Sequence, residues 1–132
     1  MILCDTNVIV DLLTDSPWAG WVASQFEDYA KEHEFAINPI IYAEVSVPFP
    51  SADSFELSLA THELVRLDLP WEAAFLAGKV FHAYRQRGGP KTSPLPDFFI
   101  GAHAQVSGLI LLTRDGSSYR TYFPTIQLVV PR

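Results

Sequence analysis

The chain has 132 residues, of which 48% are hydrophobic and 13% aromatic, a composition that indicates a globular protein and excludes a disordered one. Its 15 acidic and 9 basic residues give a net charge of −6, which argues against a protein that coats nucleic acid through overall positive charge. No apolar run approaches the roughly 18–20 residues of a membrane-spanning helix, and the first residues lack the basic region of a signal peptide. We therefore expect one domain, residues 1–132, in the cytoplasm.

Apolar strands and helix-start signals alternate along the chain. Asn38 followed by Pro39 is typical of a helix start, and Gly88 with Gly89 is typical of a helix end. In chain order the patterns predict a strand at 1–4, a helix capped by Thr6 or Asn7 and ending at Leu13, a helix capped by Ser16, a strand at 35–37, a helix from Pro39, a helix at 52–60, an edge strand at 64–67, a long helix from Pro70 to Gly88, a helix from Asp97 to about Val106, and strands at 109–113 and 126–130.

The predicted strands "LILL" and "QLVV" are continuous apolar runs, which are typical of strands buried on both faces. Strands that alternate with helices favour a parallel sheet covered by helices on both sides. We therefore predict an α/β protein, a three-layer α/β/α sandwich with a central parallel sheet. In the long helix, Trp71, Phe75 and Phe81 recur at helical spacing and form one apolar face.

Glu44 is the only charged residue between Phe35 and Pro48, a stretch that is otherwise apolar or small. A buried carboxylate without a partner costs several kcal/mol, so we expect Glu44 to have one. No Lys or Arg is close in sequence. The partner must therefore come from another part of the chain, or be a metal ion reached directly or through water.

Three further acids fall at the ends of predicted elements. Asp5 and Asp115 each follow a strand, and Asp97 opens a helix. Because the carboxyl ends of parallel strands meet at one edge of a sheet, these acids and Glu44 can converge there. Four carboxylates in one pocket require a cation, and an all-oxygen site favours Mg²⁺ or Mn²⁺. The single Cys and the scattered His residues offer no competing zinc pattern.

Each acid also has a plainer interpretation. Asp5 and Asp97 are placed as ordinary helix caps, and Asp115 in "RDGSS" is placed as a turn residue. Asp11 and Asp15 are expected at the surface. The histidines are expected in the core or at the surface, with His103 of most interest because it lies near Asp97 in sequence.

The segments "CDTNVIVDLL", "INPIIYAEVSV", "PLPDFFIGAHAQVSGLILLTRD" and "YRTYFPTIQLVVP" occur in this order and are distributed over nearly the whole length of the chain, from residue 4 to residue 131. In these segments the sequence resembles the PIN-domain ribonucleases of the VapC toxin family, which belong to VapBC toxin–antitoxin pairs. The resemblance implies a PIN-like parallel sheet between helices, a Mg²⁺-dependent endoribonuclease, a cognate antitoxin as partner, and a homodimer. Gly101 and His103 depart from the small or aliphatic residues usual in the family.

The resemblance also assigns roles to individual residues. Asp5 and Asp97 match the principal Mg²⁺ positions of the family, with Mn²⁺ as a substitute, and Glu44 and Asp115 match its remaining acids. The polar residues that match positions beside the site are Asn7 and Thr113. All four acids are present, so the resemblance implies an active enzyme.

The charge is distributed unevenly, since thirteen of the acids but only two of the basic residues lie in residues 1–78. An acidic cleft repels RNA, so basic residues must hold the substrate beside it. Arg87 and Lys91 lie shortly before Asp97 and are predicted to bind RNA phosphates. The competing interpretation is a non-catalytic PIN-fold module whose acids dock a basic partner peptide. A third interpretation is a phosphoacceptor domain of the response-regulator type. It requires an aspartate after a central strand and a suitably placed lysine, and this sequence offers neither.

Overall fold

A five-stranded sheet forms the centre of the molecule in a computed structural model that describes residues 1–89 and 95–132. The strands are β1 (Ile2–Cys4), β2 (Phe35–Ile37), β3 (Leu64–Arg66), β4 (Ile110–Leu112) and β5 (Leu128–Val129). Their order is β3-β2-β1-β4-β5, and every pairing is parallel. The predicted parallel sheet is confirmed, and so is the position of β3 at an edge.

Seven helices pack around the sheet within the described residues, which confirms the predicted three-layer arrangement. They are α1 (Thr6–Leu13), α2 (Ala19–Tyr29), α3 (Pro39–Ser46), α4 (Ala52–Leu59), α5 (Trp71–Gln86), α6 (Leu95–Ser107) and α7 (Ser117–Tyr122). Helix α7 is missing from the sequence prediction. In the described part of the chain, no helix has both the length and the apolar character needed to cross a bilayer.

The register of β1 and β4 brings the ends of these strands together. Cys4 lies opposite Leu112, and the backbone N–H of Asp5 donates to the carbonyl of Leu112 over 2.9 Å. The next residue of each chain segment, Asp5 and Thr113, therefore leaves the sheet at the same place. All three residues of β1 and the last two of β4 are buried, so this register is fixed by the core.

Helix starts agree with the sequence in some places and differ in others. Asn38 caps α3 by accepting from the backbone N–H of Ile41 over 3.0 Å, as predicted. The cap of α1 is Asp5 itself, since its side chain accepts from the N–H of Thr6, and the prediction of Thr6 or Asn7 is wrong. Ser16 precedes α2 by several residues, and α6 begins at Leu95, two residues before the predicted start.

The buried face of α5 is not the predicted aromatic face. Trp71 and Phe75 are 88% and 68% exposed, whereas Ala73 and Ala77 are fully buried. Helix α5 makes its most extensive contacts with α6, and a close approach of two helices requires small residues between them. Phe81 does pack inward, against Phe98 of α6.

Gly101 is the point at which α6 comes closest to the end of α7. A Cβ atom at this position would overlap the ring of Phe123, which is buried at the C-terminal end of α7. The neighbour that leaves no room for a side chain at position 101 is thus an aromatic ring, not a strand of the sheet. Because α6 carries Asp97 and α7 carries Tyr119, this contact sets the spacing between two helices that line the acidic cavity.

We predict that Gly101→Ala destabilises the protein by about 1–3 kcal/mol, because the Phe123 ring has no room to move in a packed core. Urea denaturation measures the effect. Gly78→Ala is the matched control, since Gly78 is also within a helix and has open space around its Cβ position. The control should be stabilised by about 0.5–1 kcal/mol. A Gly101→Ala protein as stable as its control would contradict this account.

Candidate active site

The four acids singled out by the sequence line one cavity of about 360 Å³. The cavity lies beyond the carboxyl ends of β1 and β4, where a parallel sheet commonly places its ligand site. Besides the acids, its lining includes Thr6, Asn7, Val10, Arg114, Ser118 and Tyr119. The structure therefore brings together residues that are up to 114 positions apart in the sequence.

Asp5 is the most enclosed of the four acids, with 4% of its surface exposed. Its Oδ1 accepts from the backbone N–H of Thr6 over 2.8 Å, and its Oδ2 accepts from the hydroxyls of Thr113 over 2.7 Å and Tyr119 over 3.1 Å. Burial raises the pKa of Asp5, and these three hydrogen bonds oppose the rise. Asp5 is at once a helix cap and a member of the cavity.

Glu44 has a neutral partner rather than a basic one. Its Oε1 accepts from the hydroxyl of Thr6 over 2.6 Å, which links α3 to the first residue of α1. The side chain is half-buried, and Oε2 makes no hydrogen bond within the described residues. The negative charge of Glu44 contributes to raising the pKa of both Asp5 and Asp97.

Asp97 lies in the first turn of α6 and is partly buried. Its pKa is raised from 3.8 to about 6, mainly by burial and then by the negative charges of Asp5 and Glu44. A hydrogen bond with Tyr119 works in the opposite direction. The part of the rise in pKa that comes from Asp5 and Glu44 is repulsion between carboxylates, which a bound cation relieves.

Asp115 differs from the other three acids because it is exposed. Its Oδ1 accepts from the hydroxyl of Ser117 over 2.9 Å and from the Ser117 backbone N–H over 3.2 Å, and these bonds lower the pKa of Asp115. This is the turn geometry that the sequence suggested as the plainer interpretation. The same residue nevertheless lines the cavity, so its turn role and its place beside the other acids coexist.

Asn7 and Thr113 join the ends of β1 and β4. Thr113 donates its hydroxyl hydrogen to Asp5 and accepts from the Asn7 amide over 3.3 Å and from the Asp115 N–H over 3.2 Å. The carbonyl oxygen of the Asn7 side chain accepts from the backbone N–H of Arg114 over 3.1 Å. These two residues therefore orient Asp5 and hold the loop that carries Asp115.

Sequence reasoning missed half of the ten lining residues, and two of those missed, Thr6 and Tyr119, hydrogen-bond to the acids. Tyr119 is 2% exposed, and burial beside the Asp5 and Asp97 carboxylates raises its pKa, so it remains a hydrogen-bond donor. In the sequence it belongs to "SSYRTYF", which gives no apolar spacing strong enough to predict α7. Thr6 is adjacent to Asp5 and was assigned only a possible capping role.

Asp11 is buried, with 2% exposure, and the expectation of a surface position is wrong. Its Oδ2 lies 2.6 Å from Nε of Arg114, and its Oδ1 accepts from the Ser16 hydroxyl over 2.7 Å. The ion pair explains the burial, because a carboxylate removed from water requires a cationic partner. It also connects α1 to the loop after β4. Asp15 is exposed as expected.

Arg87 and Lys91, the predicted RNA-binding residues, are not in the lining of the cavity. Arg87 is exposed at the C-terminal end of α5, and Lys91 lies outside the described residues. The end of α5 is nonetheless near the start of α6, since the rings of Tyr84 and Phe98 have centroids 5.4 Å apart. His103 is buried on α6 and contacts the Asn38 side chain over 3.0 Å.

The cavity suits Mg²⁺ or Mn²⁺, because the charged groups in it that could ligate a metal ion are all carboxylates, which bind through oxygen. Within residues 1–89 and 95–132, no three acidic, histidine or cysteine side chains stand close enough together to form a complete ligand set. Mg²⁺ does not require one, since it usually retains several waters and binds through one or two carboxylates. The residues present therefore fit such an ion, with Asp5 and Asp97 as the predicted ligands.

Residues 2–124 match the family model described as PIN domain. Because this match covers most of the 132 residues, the chain belongs to the PIN domain family. No curated protein matches the sequence.

Solved structures extend the comparison to the whole fold. The VapBC2 complex of Rickettsia felis, bound to a DNA fragment from its promoter, is 21% identical with a TM-score of 0.79 over 100% of both chains. VapBC-1 from nontypeable Haemophilus influenzae is 22% identical with a TM-score of 0.75 over 98% of both chains. Mycobacterium tuberculosis VapC20, a sarcin-ricin loop cleaving toxin, is 11% identical with a TM-score of 0.66 over 99% of this chain and 100% of that one. These likenesses establish the fold and confirm the PIN-like sandwich.

The raised pKa of Asp97 predicts that a divalent ion stabilises the protein more at pH 7.5 than at pH 5. Below about pH 6 the ion must displace a proton from Asp97. At a hundredfold excess over Kd, binding adds about 2.7 kcal/mol of stability. Melting temperatures with and without Mn²⁺ at the two pH values measure the difference.

Metal-free protein should show the opposite trend. The native state holds the Asp97 proton more tightly than the unfolded state, so this group's contribution to stability falls as the pH rises from 3.8 to about 6. Asp97→Asn is the control, and it should respond weakly to Mn²⁺ at both pH values. Equal Mn²⁺ responses of the native protein at pH 5 and 7.5 would rule out Asp97 as a proton-linked ligand.

Proposed function

We propose that this protein is a VapC-type toxin of a type II toxin–antitoxin system, an endoribonuclease that hydrolyses RNA phosphodiester bonds with Mg²⁺, for which Mn²⁺ can substitute. The observation that carries the proposal is the meeting of four carboxylates from separate elements in one cavity of a PIN fold. Structural neighbours named as VapBC complexes, and one named as a sarcin-ricin loop cleaving toxin, support it.

Asp5 and Asp97 would hold the metal ion, and Glu44 and Asp115 would complete the acidic site. A bound ion would supply positive charge to stabilise the phosphodiester during attack and would make water more acidic. The protein contributes orientation, because the backbone N–H of Thr6 and the hydroxyls of Thr113 and Tyr119 hold the Asp5 carboxylate in place. Glu44 retains one oxygen without a hydrogen bond among the described residues, and this oxygen can accept a proton from an attacking water.

The partners follow from the same proposal. The substrate is RNA, and the cognate partner is an antitoxin protein, as in the neighbouring VapBC complexes. The toxin acts as a homodimer in the cytoplasm, with one PIN domain over residues 1–132. Substrate phosphates are bound by Arg87, at the end of α5, and by Lys91.

A second candidate is a PIN-fold module without catalytic activity, in which the same acids dock a basic peptide of a partner. The cavity supports this reading as well, because its four carboxylates would attract a basic segment whether or not RNA is cut. Only a measurement of catalysis separates the two candidates.

We predict that the isolated protein cleaves RNA with Mg²⁺ or Mn²⁺ and that Asp5→Asn reduces the rate at least about 100-fold, since even residues that support metal ligands are worth about 10–100-fold. The rate is measured on a fluorescent RNA with partner-free protein. Asp15→Asn is the matched control, because Asp15 is an exposed acid outside the cavity. If the Asp5→Asn variant cleaves RNA as fast as the native protein, the activity comes from a contaminating nuclease and the catalytic assignment is wrong.

A further prediction concerns Arg87 and Lys91. Replacing both with Ala should weaken RNA binding for all sequences and make the log–log salt dependence shallower by up to about 1.4, because each phosphate contact on a single strand contributes about 0.7. Fluorescence anisotropy over a series of salt concentrations measures both quantities. Lys31→Ala with Lys79→Ala is the control that removes the same charge elsewhere. If both double variants give the same affinity and slope, the RNA path avoids the end of α5.

A further inference from the structure

Arg114 brings positive charge into a cavity that is otherwise strongly acidic. Among the residues that the structure describes, it is the only Lys or Arg in the lining. It stands between Thr113 and Asp115, directly after β4. RNA is a polyanion, so it approaches four carboxylates only if positive charge within the cavity offsets the repulsion.

Three separate contacts hold Arg114 in place. Its Nε lies 2.6 Å from Oδ2 of the buried Asp11, and its backbone N–H donates to Asn7 over 3.1 Å. Its guanidinium carbon lies 5.7 Å from the centre of the Trp18 ring, within the range of a cation–π interaction. The side chain is therefore positioned before any ligand arrives, which reduces the entropy lost on binding.

These contacts leave part of the guanidinium available. The Arg114 side chain is 33% exposed, and its two terminal nitrogens make no hydrogen bond within the described residues. A guanidinium has five N–H donors in a planar fork that matches two phosphate oxygens. The ion pair with Asp11 uses only Nε, so the N–H donors on the two terminal nitrogens are not needed to neutralise Asp11.

We propose that Arg114 is a substrate-binding residue that binds an RNA phosphate next to the bond to be cleaved. The proposal rests on the proposed ribonuclease function and adds a contact to it. Asp11 is then a positioning residue, because its buried carboxylate turns the guanidinium and keeps the terminal nitrogens at the cavity. The ligand is a phosphodiester group of single-stranded RNA, bound through paired N–H donors.

The competing explanation is that Arg114 serves only to neutralise Asp11, and the variants must separate the two. Removing Arg114 alone would leave a buried, unpaired carboxylate and damage the fold. The main variant is therefore Asp11→Asn with Arg114→Gln, which removes both charges of the pair. The second variant, Arg114→Lys, keeps a cation beside Asp11 but loses the planar fork. Lys31→Gln is the control, since Lys31 precedes β2 at the amino end of the sheet, away from the cavity.

Steady-state cleavage of a short single-stranded RNA is measured for each protein at several salt concentrations, together with the rise in melting temperature caused by Mn²⁺. The double variant should have a KM raised about tenfold, with kcat changed less than about threefold. Its log–log salt slope should be shallower by about 0.7, the contribution of one phosphate contact on a single strand. Arg114→Lys should raise KM with an unchanged slope, and the Mn²⁺ response and the control should match the native protein.

The possible failures are distinguishable. If native protein cleaves RNA and both Arg114 variants retain its KM and salt slope, Arg114 only balances Asp11 and the inference is wrong. A double variant that does not fold leaves the decision to Arg114→Lys, whose KM then supports or overturns the proposal. Native protein that cleaves no RNA overturns the ribonuclease function and this inference with it.

Discussion

A carboxylate buried at the end of a central strand must be hydrogen-bonded, and this requirement on Asp5 organises the elements around it. Its three donors come from the first turn of α1, from the residue after β4 and from α7. Each donor fixes one element relative to β1. The close packing of Gly101 against Phe123 then sets α6 beside α7, which places Asp97 within the field of Asp5.

The carboxylates of Asp5 and Glu44 receive their hydrogen bonds from neutral donors rather than from positively charged groups. Thr6, Thr113 and Tyr119 provide hydroxyl groups to Glu44 and Asp5, and a hydroxyl donor leaves the carboxylate charge in place. Among the described residues that line the cavity, Arg114 is paired through its Nε with Asp11, so it forms no ion pair with any of the four cavity acids. The net negative charge of the cavity is consequently retained, and it remains available to a cation or a proton.

The sequence predicts the meeting of the acids well because that meeting depends on few assumptions. Parallel strands have their carboxyl ends on the same side of the sheet, so Asp5 and Asp115, which follow two such strands, must both lie on that side. An isolated acid in an apolar stretch, such as Glu44, must have a partner. The geometry agrees, while the catalytic and metal-binding roles of these residues remain predictions.

What the sequence does not predict depends on tertiary contacts. Asp11 resembles any surface acid until Arg114, more than a hundred positions later, is placed against it. Trp71 and Phe75 look like core residues, but close packing of α5 on α6 gives that position to Ala73 and Ala77. Short helix α7 has no strong periodicity, so Tyr119 could not be placed near Asp5.

The contact between Asn38 and His103 constrains how this sequence can change. The Asn38 carbonyl oxygen is engaged by the N–H of Ile41, so its amide nitrogen must donate to Nδ1 of His103, and the imidazole proton then resides on Nε2. An apolar side chain at position 103 would leave the buried amide without an acceptor, at a cost of about 1–3 kcal/mol. The two positions are 65 residues apart. Positions 38 and 103 should therefore covary among close relatives. Where the histidine is replaced, Asn38 should be replaced by a helix-capping residue that has no amide nitrogen to pair.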